Sequence, residues 1–128
     1  MQLLQHRQQF DAVLAGATVA KTAHFALHRC ALDSSGPGSQ GPQALFAIRA
    51  PWIGALIPKR WARRAVTRNT IRRQIYAVAW EFPSLPDAAH VVRLRCGYDR
   101  QMYPSASSPT LKRVLRAELQ ALFAGARP

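Results

Sequence analysis

Between Ala65 and Phe82 one stretch of chain carries two faces that cannot share an environment. Ile71, Ile75, Val78 and Phe82 fall at i, i+4, i+7 and i+11, which lines one side of a helix with apolar groups. Asn69, Arg72, Arg73, Tyr76 and Trp80 fall at i, i+3, i+4, i+7 and i+11 and share the opposite side. Pro83 and Pro86 end the helix. Its first half belongs to the segment Lys59–Arg73, KRWARRAVTRNTIRR, in which seven residues are Lys or Arg and none is acidic. No Asp or Glu occurs anywhere between Asp33 and Glu81. Such a segment repels itself unless a polyanion neutralises it, and the evident polyanion is a nucleic-acid backbone.

The rest of the composition agrees. At 128 residues, 48% of them hydrophobic, the chain is read as one domain, 1–128, with enough apolar material for a core. The net charge is +12, and only Lys21, Lys59 and Lys112 among the 18 basic residues are Lys. Guanidinium forks match phosphate geometry and stack on bases, so the Arg bias favours nucleic acid over a merely solubilising surface. No apolar run approaches the ~20 residues of a membrane span. The N-terminal MQLLQHRQQF lacks the apolar core of a secretory signal, so a cytoplasmic location is expected. Cys30 and Cys96 stand alone and are expected to be small buried hydrophobes, neither a disulfide nor half of a zinc site.

Local patterns set the element order. Phe10, Val13 and Leu14 at helical spacing, with Gly16 as a stop, predict a first helix over about Arg7–Ala15. The alternation in HFALHRCAL predicts a strand. DSSGPGSQGPQ, residues 33–43, is turn chemistry throughout and predicts a flexible loop. ALFAIRA and WIGALIP, parted by Pro51, predict one interrupted strand or two short ones. AHVVRLRC, Ala89–Cys96, predicts another strand. Ser108 and Pro109 open a last helix whose stripe is Leu111, Val114, Leu115, Leu119 and Leu122, ending at Gly125. The expected class is α+β: a single central β-sheet with flanking helices in the order α-β-β(-β)-α-β-α.

Within the binding face, guanidinium forks would clamp phosphates and aromatics would stack on unpaired bases. Arg68 borders the apolar stripe, where its stem can pack while its head reaches solvent. Lys59, Arg60, Arg63 and Arg64 lie just before the helix, whose N-terminus adds partial positive charge. The plainer alternative is that Tyr76 and Trp80 pack on a neighbouring loop and the arginines are simply solvated. Catalysis by the chain itself finds little support. Asp11, Asp33, Glu81, Asp87, Asp99 and Glu118 are scattered, whereas two-metal phosphodiester cleavage needs clustered carboxylates. A metal-free ribonuclease could use His24 and His28 if they shared a strand face, with Lys21 near. The glycines of GPGSQG lack the Lys-Ser/Thr of a phosphate-binding loop.

These residues resemble the protein component of bacterial ribonuclease P, whose mark is a basic strand-to-helix segment ending in an Arg-Asn-Arg-x-Lys-Arg type motif. The likeness runs through Lys59 and Arg60, Arg63, Arg64 and Ala65, then Arg68, Asn69, Ile71, Arg72 and Arg73. It extends to Phe10 and Val13 in the first helix, to the Phe25-led strand and to the strand and helix that follow the motif. The sequence departs from the pattern in three respects. Thr70 replaces the motif's second Arg, Tyr76 and Ala77 replace a common Arg-Glu pair, and His28 stands where an aromatic, often Tyr, lines the family's cleft.

The resemblance implies a β-α-β unit with a left-handed crossover, where general rules favour a right-handed one. It also implies binding of the catalytic RNA and of the 5′ leader of precursor tRNA. The catalytic RNA would meet Lys59, Arg60, Arg63, Arg64, Arg68, Asn69, Arg72, Arg73 and Tyr76. The leader would lie in a cleft lined by Phe10, Val13, Ala26, His28 and Cys30. No catalytic residue, protein-held metal, membrane or obligate protein partner is implied, and magnesium would be used by the RNA subunit. A ribosomal-type RNA-binding protein of similar build remains the alternative, with the His-based ribonuclease behind it.

Overall fold

The computed structural model describes residues 1–33, 45–82, 84–98, 103 and 108–126. In chain order the elements are β1 (Gln2–Leu3), α1 (Arg7–Leu14), β2 (Ala17–Lys21), β3 (Phe25–Cys30), β4 (Trp52–Leu56), α2 (Ala65–Glu81), β5 (Ala89–Leu94) and α3 (Pro109–Ala124). The strands form one mixed sheet in the order β1-β4-β5-β3-β2. β1 and β4 pair parallel, as do β4 and β5, while β5–β3 and β3–β2 are antiparallel. The expected single sheet with flanking helices is present. α2 links β4 to its parallel neighbour β5, so this part of the chain is a β-α-β unit.

β3 and β5 are buried along most of their length on both sides, and each side has its own core. On one face Phe25, Leu27, Ile53, Val92 and Leu94 pack with Ile71, Ile75 and Val78 of α2 and Leu111, Leu115, Leu119, Leu122 and Phe123 of α3. On the other face Cys30, Ala89, Val91 and Trp52 pack with Val13 of α1, Leu4 and Phe46. Gly54 allows α1 to approach: a Cβ there would stand 2.7 Å from the Phe10 ring and 2.8 Å from Leu4. Gln9 fastens the same helix, accepting from the Gln5 and His6 backbone and donating to the Leu45 carbonyl.

Several expectations change. ALFAIRA forms no strand across Leu45–Ala50. Phe46 instead packs edge-on to Trp52, with ring centroids 5.6 Å apart. β1 and β2 were not foreseen: β1 is two residues long, and ATVAK lacks the alternation that marks a half-buried strand. The loop expected over 33–43 lies, apart from Asp33, outside the described residues. Cys30 is buried but Cys96 is exposed, so only one is a core hydrophobe, and both are free thiols.

Two arginine–histidine pairs cross the β3–β5 ladder in opposite senses. Arg29 of β3 donates through Nε to His90 Nε2 at 2.9 Å, on the α2/α3 face. Arg93 of β5 donates through Nε to His28 Nε2 at 3.2 Å, on the α1 face. In each ring the acceptor role at Nε2 leaves Nδ1–H to donate, to the Trp52 carbonyl (3.1 Å) for His90 and to Thr18 Oγ1 (3.2 Å) for His28. His90 has no exposed surface, and burial lowers its pKa to about 4, with the Trp52 bond opposing and the Arg29 charge assisting. Desolvation, then Arg93 and Lys21, lowers that of His28 as well.

A folded-state pKa below the unfolded value means that the unfolded chain binds more protons in the window between them. Stability is therefore complete above about pH 6.5 and falls as the pH drops towards 4. For His90 alone the loss is on the order of 3 kcal/mol. Urea titrations across pH 4–7 are expected to show this slope, and His90→Asn, less stable at pH 7, is expected to show a flatter one.

Candidate RNA interface

The N-terminal half of α2 is where charge is concentrated. Its apolar stripe is held against the sheet, with Ile71, Ile75 and Val78 at most 2% exposed and Ala79 joining them. Phe82 is half-buried on Phe123, with ring centroids 5.9 Å apart. That contact turns the opposite side outward. Asn69 and Arg73 are exposed, Arg72 and Tyr76 are half-buried, and Trp80 is 70% exposed. Arg72 Nη1 donates to Asn69 Oδ1 at 2.9 Å, one turn away, which orients the guanidinium along the helix. Lys59, Arg60, Arg63 and Arg64 are exposed on the loop entering the helix.

Local chemistry favours an anion at this helix start. The Arg64 side chain does not cap the helix, and the first turn has no acidic residue. By contrast, Ser108 caps α3 through Oγ to the Leu111 N–H. Beside the α2 N-terminus lies a cavity of about 180 Å³ walled by Arg60, Trp61, Arg63, Thr67, Ile71 and Tyr98, among others. The Arg60 guanidinium stands 5.2 Å from the Trp61 ring centroid. Trp61, 37% exposed, was not among the anticipated residues, although it sits inside the basic run.

Arg68, half-buried at the edge of the stripe, makes contacts beyond those expected. Its Nη1 donates to the carbonyls of Ala62 (3.0 Å) and Arg63 (2.8 Å), so its head bends back and ties down the loop. Charge-assisted bonds of this kind are among the stronger hydrogen bonds in a protein.

The five residues expected to line a cleft do reach one face of the sheet, the face that α1 covers. They differ in access. Val13 and Ala26 have no exposed surface, Cys30 and His28 are 8% and 7% exposed, and Phe10 is half-buried over Gly54. Cross-strand register shows what remains accessible. Lys21 of β2, Ala26 of β3, Arg93 of β5 and Leu56 of β4 stand in one row across the α1 face. Lys21 is exposed and Arg93 and Leu56 are half-buried, so this row is basic and open. The sequence contains the signal, because the alternation in AHVVRLRC places Arg93 beside Val91 on the α1 face.

His24 and His28 do not meet. His24 precedes β3 and turns to α3, with Nδ1 2.7 Å from Glu118 Oε1 and its ring stacked on Tyr98 at 3.9 Å. His28 points to the α1 face, against Thr18 and Arg93. The His-based ribonuclease thereby loses its acid–base pair. Glu118, one of the scattered acids, also accepts from Thr22 Oγ1, the His24 N–H and the Tyr98 hydroxyl. These bonds outweigh the opposing desolvation and lower its pKa, while burial and Glu118 raise that of Tyr98. Among the described residues no group of three or more His, Cys, Asp or Glu could hold a metal ion, and no helix is long and apolar enough to cross a membrane.

Comparison with known proteins follows the same outline. The family model described as Ribonuclease P matches residues 1–120. The chain is similar to the ribonuclease P protein component of Bordetella petrii, 35% identical over 126 residues that span 98% of this chain and 91% of that one. It is 36% identical to that of Bordetella parapertussis over 94% of this chain and 87% of the other. The Staphylococcus aureus RNase P protein structure superposes with a TM-score of 0.65 at 18% identity, covering 97% and 94% of the two chains, which is likeness of fold.

The two roles of the arginines separate on mutation. Arg68→Ala is expected to lower stability by about 1 kcal/mol through its lost loop bonds, and Arg73→Ala to leave it within about 0.5 kcal/mol of the parent. Thermal denaturation of the free protein measures both.

Proposed function

The chain belongs to the ribonuclease P protein family and serves as a subunit of that enzyme, and we propose that it does so as an RNA clamp with two separate surfaces. The outer face of α2, with Asn69, Arg72, Arg73 and Tyr76, holds the catalytic RNA together with Lys59, Arg60, Arg63 and Arg64 ahead of it. The open basic row on the α1 face, Lys21 and Arg93 beside Phe10 and His28, holds the single-stranded 5′ leader of precursor tRNA. What carries this reading is that the basic residues of α2 and the Lys21–Arg93 row lie on opposite sides of one sheet. One rigid layer can then fix the distance between two RNA strands, and the net positive charge of each surface attracts phosphates.

Phosphodiester hydrolysis belongs, in this proposal, to the RNA and its bound magnesium. Support comes from where the carboxylates sit. Glu118 receives bonds from Thr22, His24 and Tyr98, Glu81 pairs with Arg116, and Asp11 faces Arg7 at 3.9 Å. None stands beside another as a two-metal site requires. The protein's contribution is to screen phosphates and position the leader, which lowers the magnesium needed to fold and load the RNA.

Reconstitution tests the proposal. Full-length protein with a bacterial ribonuclease P RNA transcript is expected to cleave precursor tRNA at magnesium concentrations where the RNA alone is slow. Protein without RNA is expected to be inactive, and cleavage by protein alone would refute the assignment. Arg72→Ala combined with Arg73→Ala is expected to weaken binding to the RNA and flatten its salt dependence by about two phosphate contacts. Lys21→Ala is expected to reduce affinity for leader-bearing tRNA by about one phosphate contact and leave mature tRNA unchanged. Equal losses for both tRNAs would remove the α1 face from leader binding.

A further inference from the structure

Trp80 is the most exposed of the large hydrophobic side chains, at 70%. It lies on α2 one turn beyond Tyr76 and seven residues, about 10 Å along the axis, beyond Arg73. On one flank is an open groove of about 560 Å³ lined by Met1, Leu3, Tyr76 and Ala77, with Leu3 itself 48% exposed. A second, smaller groove of about 200 Å³ that also borders Trp80 reaches Pro51, Phe82 and Leu85. Among the described residues no aromatic ring stacks on the indole. An apolar patch of this kind on a chain with 19% charged residues marks a contact surface.

Charge decides what covers it. Arg72 and Arg73 stand one turn before Tyr76 on the same helix, and the one carboxylate among the described residues that line the groove, Glu81, is held by Arg116. A second copy of this chain would bring +12 against +12 with the arginine rows adjoining. A strand of RNA offers the complement: phosphates for the guanidinium groups and flat apolar base faces for the indole. Duplex RNA buries those base faces in its own stack, so the segment that fits is unpaired.

We propose that Trp80, with Tyr76 beside it, is a stacking platform for an unpaired base of the catalytic RNA, whose neighbouring phosphates lie on Arg72 and Arg73. This rests on the RNA-binding reading of α2 and extends it from backbone contact to base contact.

The test is a binding titration of the full chain with a bacterial ribonuclease P RNA transcript at several salt concentrations. Trp80→Ala is expected to raise Kd by about five-fold or more, by the same factor at every salt, because stacking releases no counter-ions. Trp80→Phe is expected to recover most of the loss, and both variants, altered at an exposed position, are expected to keep the parent melting temperature. A Kd for Trp80→Ala within two-fold of the parent overturns the proposal. So does a change of salt slope by one phosphate contact. Sedimentation showing a parental dimer that Trp80→Ala dissociates assigns the patch to a second copy instead. Parental binding with a silent Trp80→Ala removes only the platform, whereas absence of parental binding removes the RNA-binding reading with it.

Discussion

Burial of Ile71, Ile75 and Val78 against the sheet holds a row of like charges in place. Each large aliphatic side chain taken fully out of water contributes roughly 1.5–3 kcal/mol. Like charges three or four residues apart on a helix oppose it by only a few tenths of a kcal/mol per pair. The apolar stripe therefore wins comfortably, and α2 forms without any carboxylate in its first turn. Because the stripe fixes the helix's rotation about its axis, it also fixes where Asn69, Arg72, Arg73, Tyr76 and Trp80 point. The basic face is a consequence of the core on its other side.

Two of the acidic groups, Glu118 and Glu81, join elements of the fold. Glu118 joins α3 to the β2–β3 turn through Thr22 and His24 and to the segment after β5 through Tyr98. Glu81 joins the end of α2 to Arg116 of α3. Four donors fix the Glu118 carboxylate in that position. The interior polar groups are neutral where burial is complete: His90 lies between the Arg29 guanidinium and the Trp52 carbonyl as an uncharged ring. The strong positive field is thus left to the surface, outside α2 on one side and along the Lys21–Arg93 row on the other.

How far this was legible varies from element to element. The bounds of α1, α2 and α3 follow the sequence expectation to within a residue, since helical spacing, Ser108–Pro109 and Pro83 are local signals. Short edge strands carry no such signal. β1 and β2 exist because β4 and β3 offer them unpaired backbone, which no pattern within MQLLQ or ATVAK announces. The same limit applies to single side chains. Arg68 was expected to border the apolar stripe, and only the folded loop shows that two carbonyls lie within reach of its Nη1. His24 and His28 have strand-like spacing, but β3 begins at Phe25, so the alternation does not include His24.

From the sequence alone came the chain's polyanion-seeking character, its helices and the face of α2 that carries Arg72 and Arg73, because charge and 3.6-residue periodicity are properties of neighbours along the chain. The tertiary structure alone decided that Val13 and Ala26 are sealed while Lys21, Arg93 and Leu56 form an accessible row. It alone left Trp80 uncovered and gave Glu118 its partners. Those outcomes depend on strand register and on which helix lies over which part of the sheet. Both are set by contacts between residues far apart in sequence, as in the bond from Thr22 to Glu118.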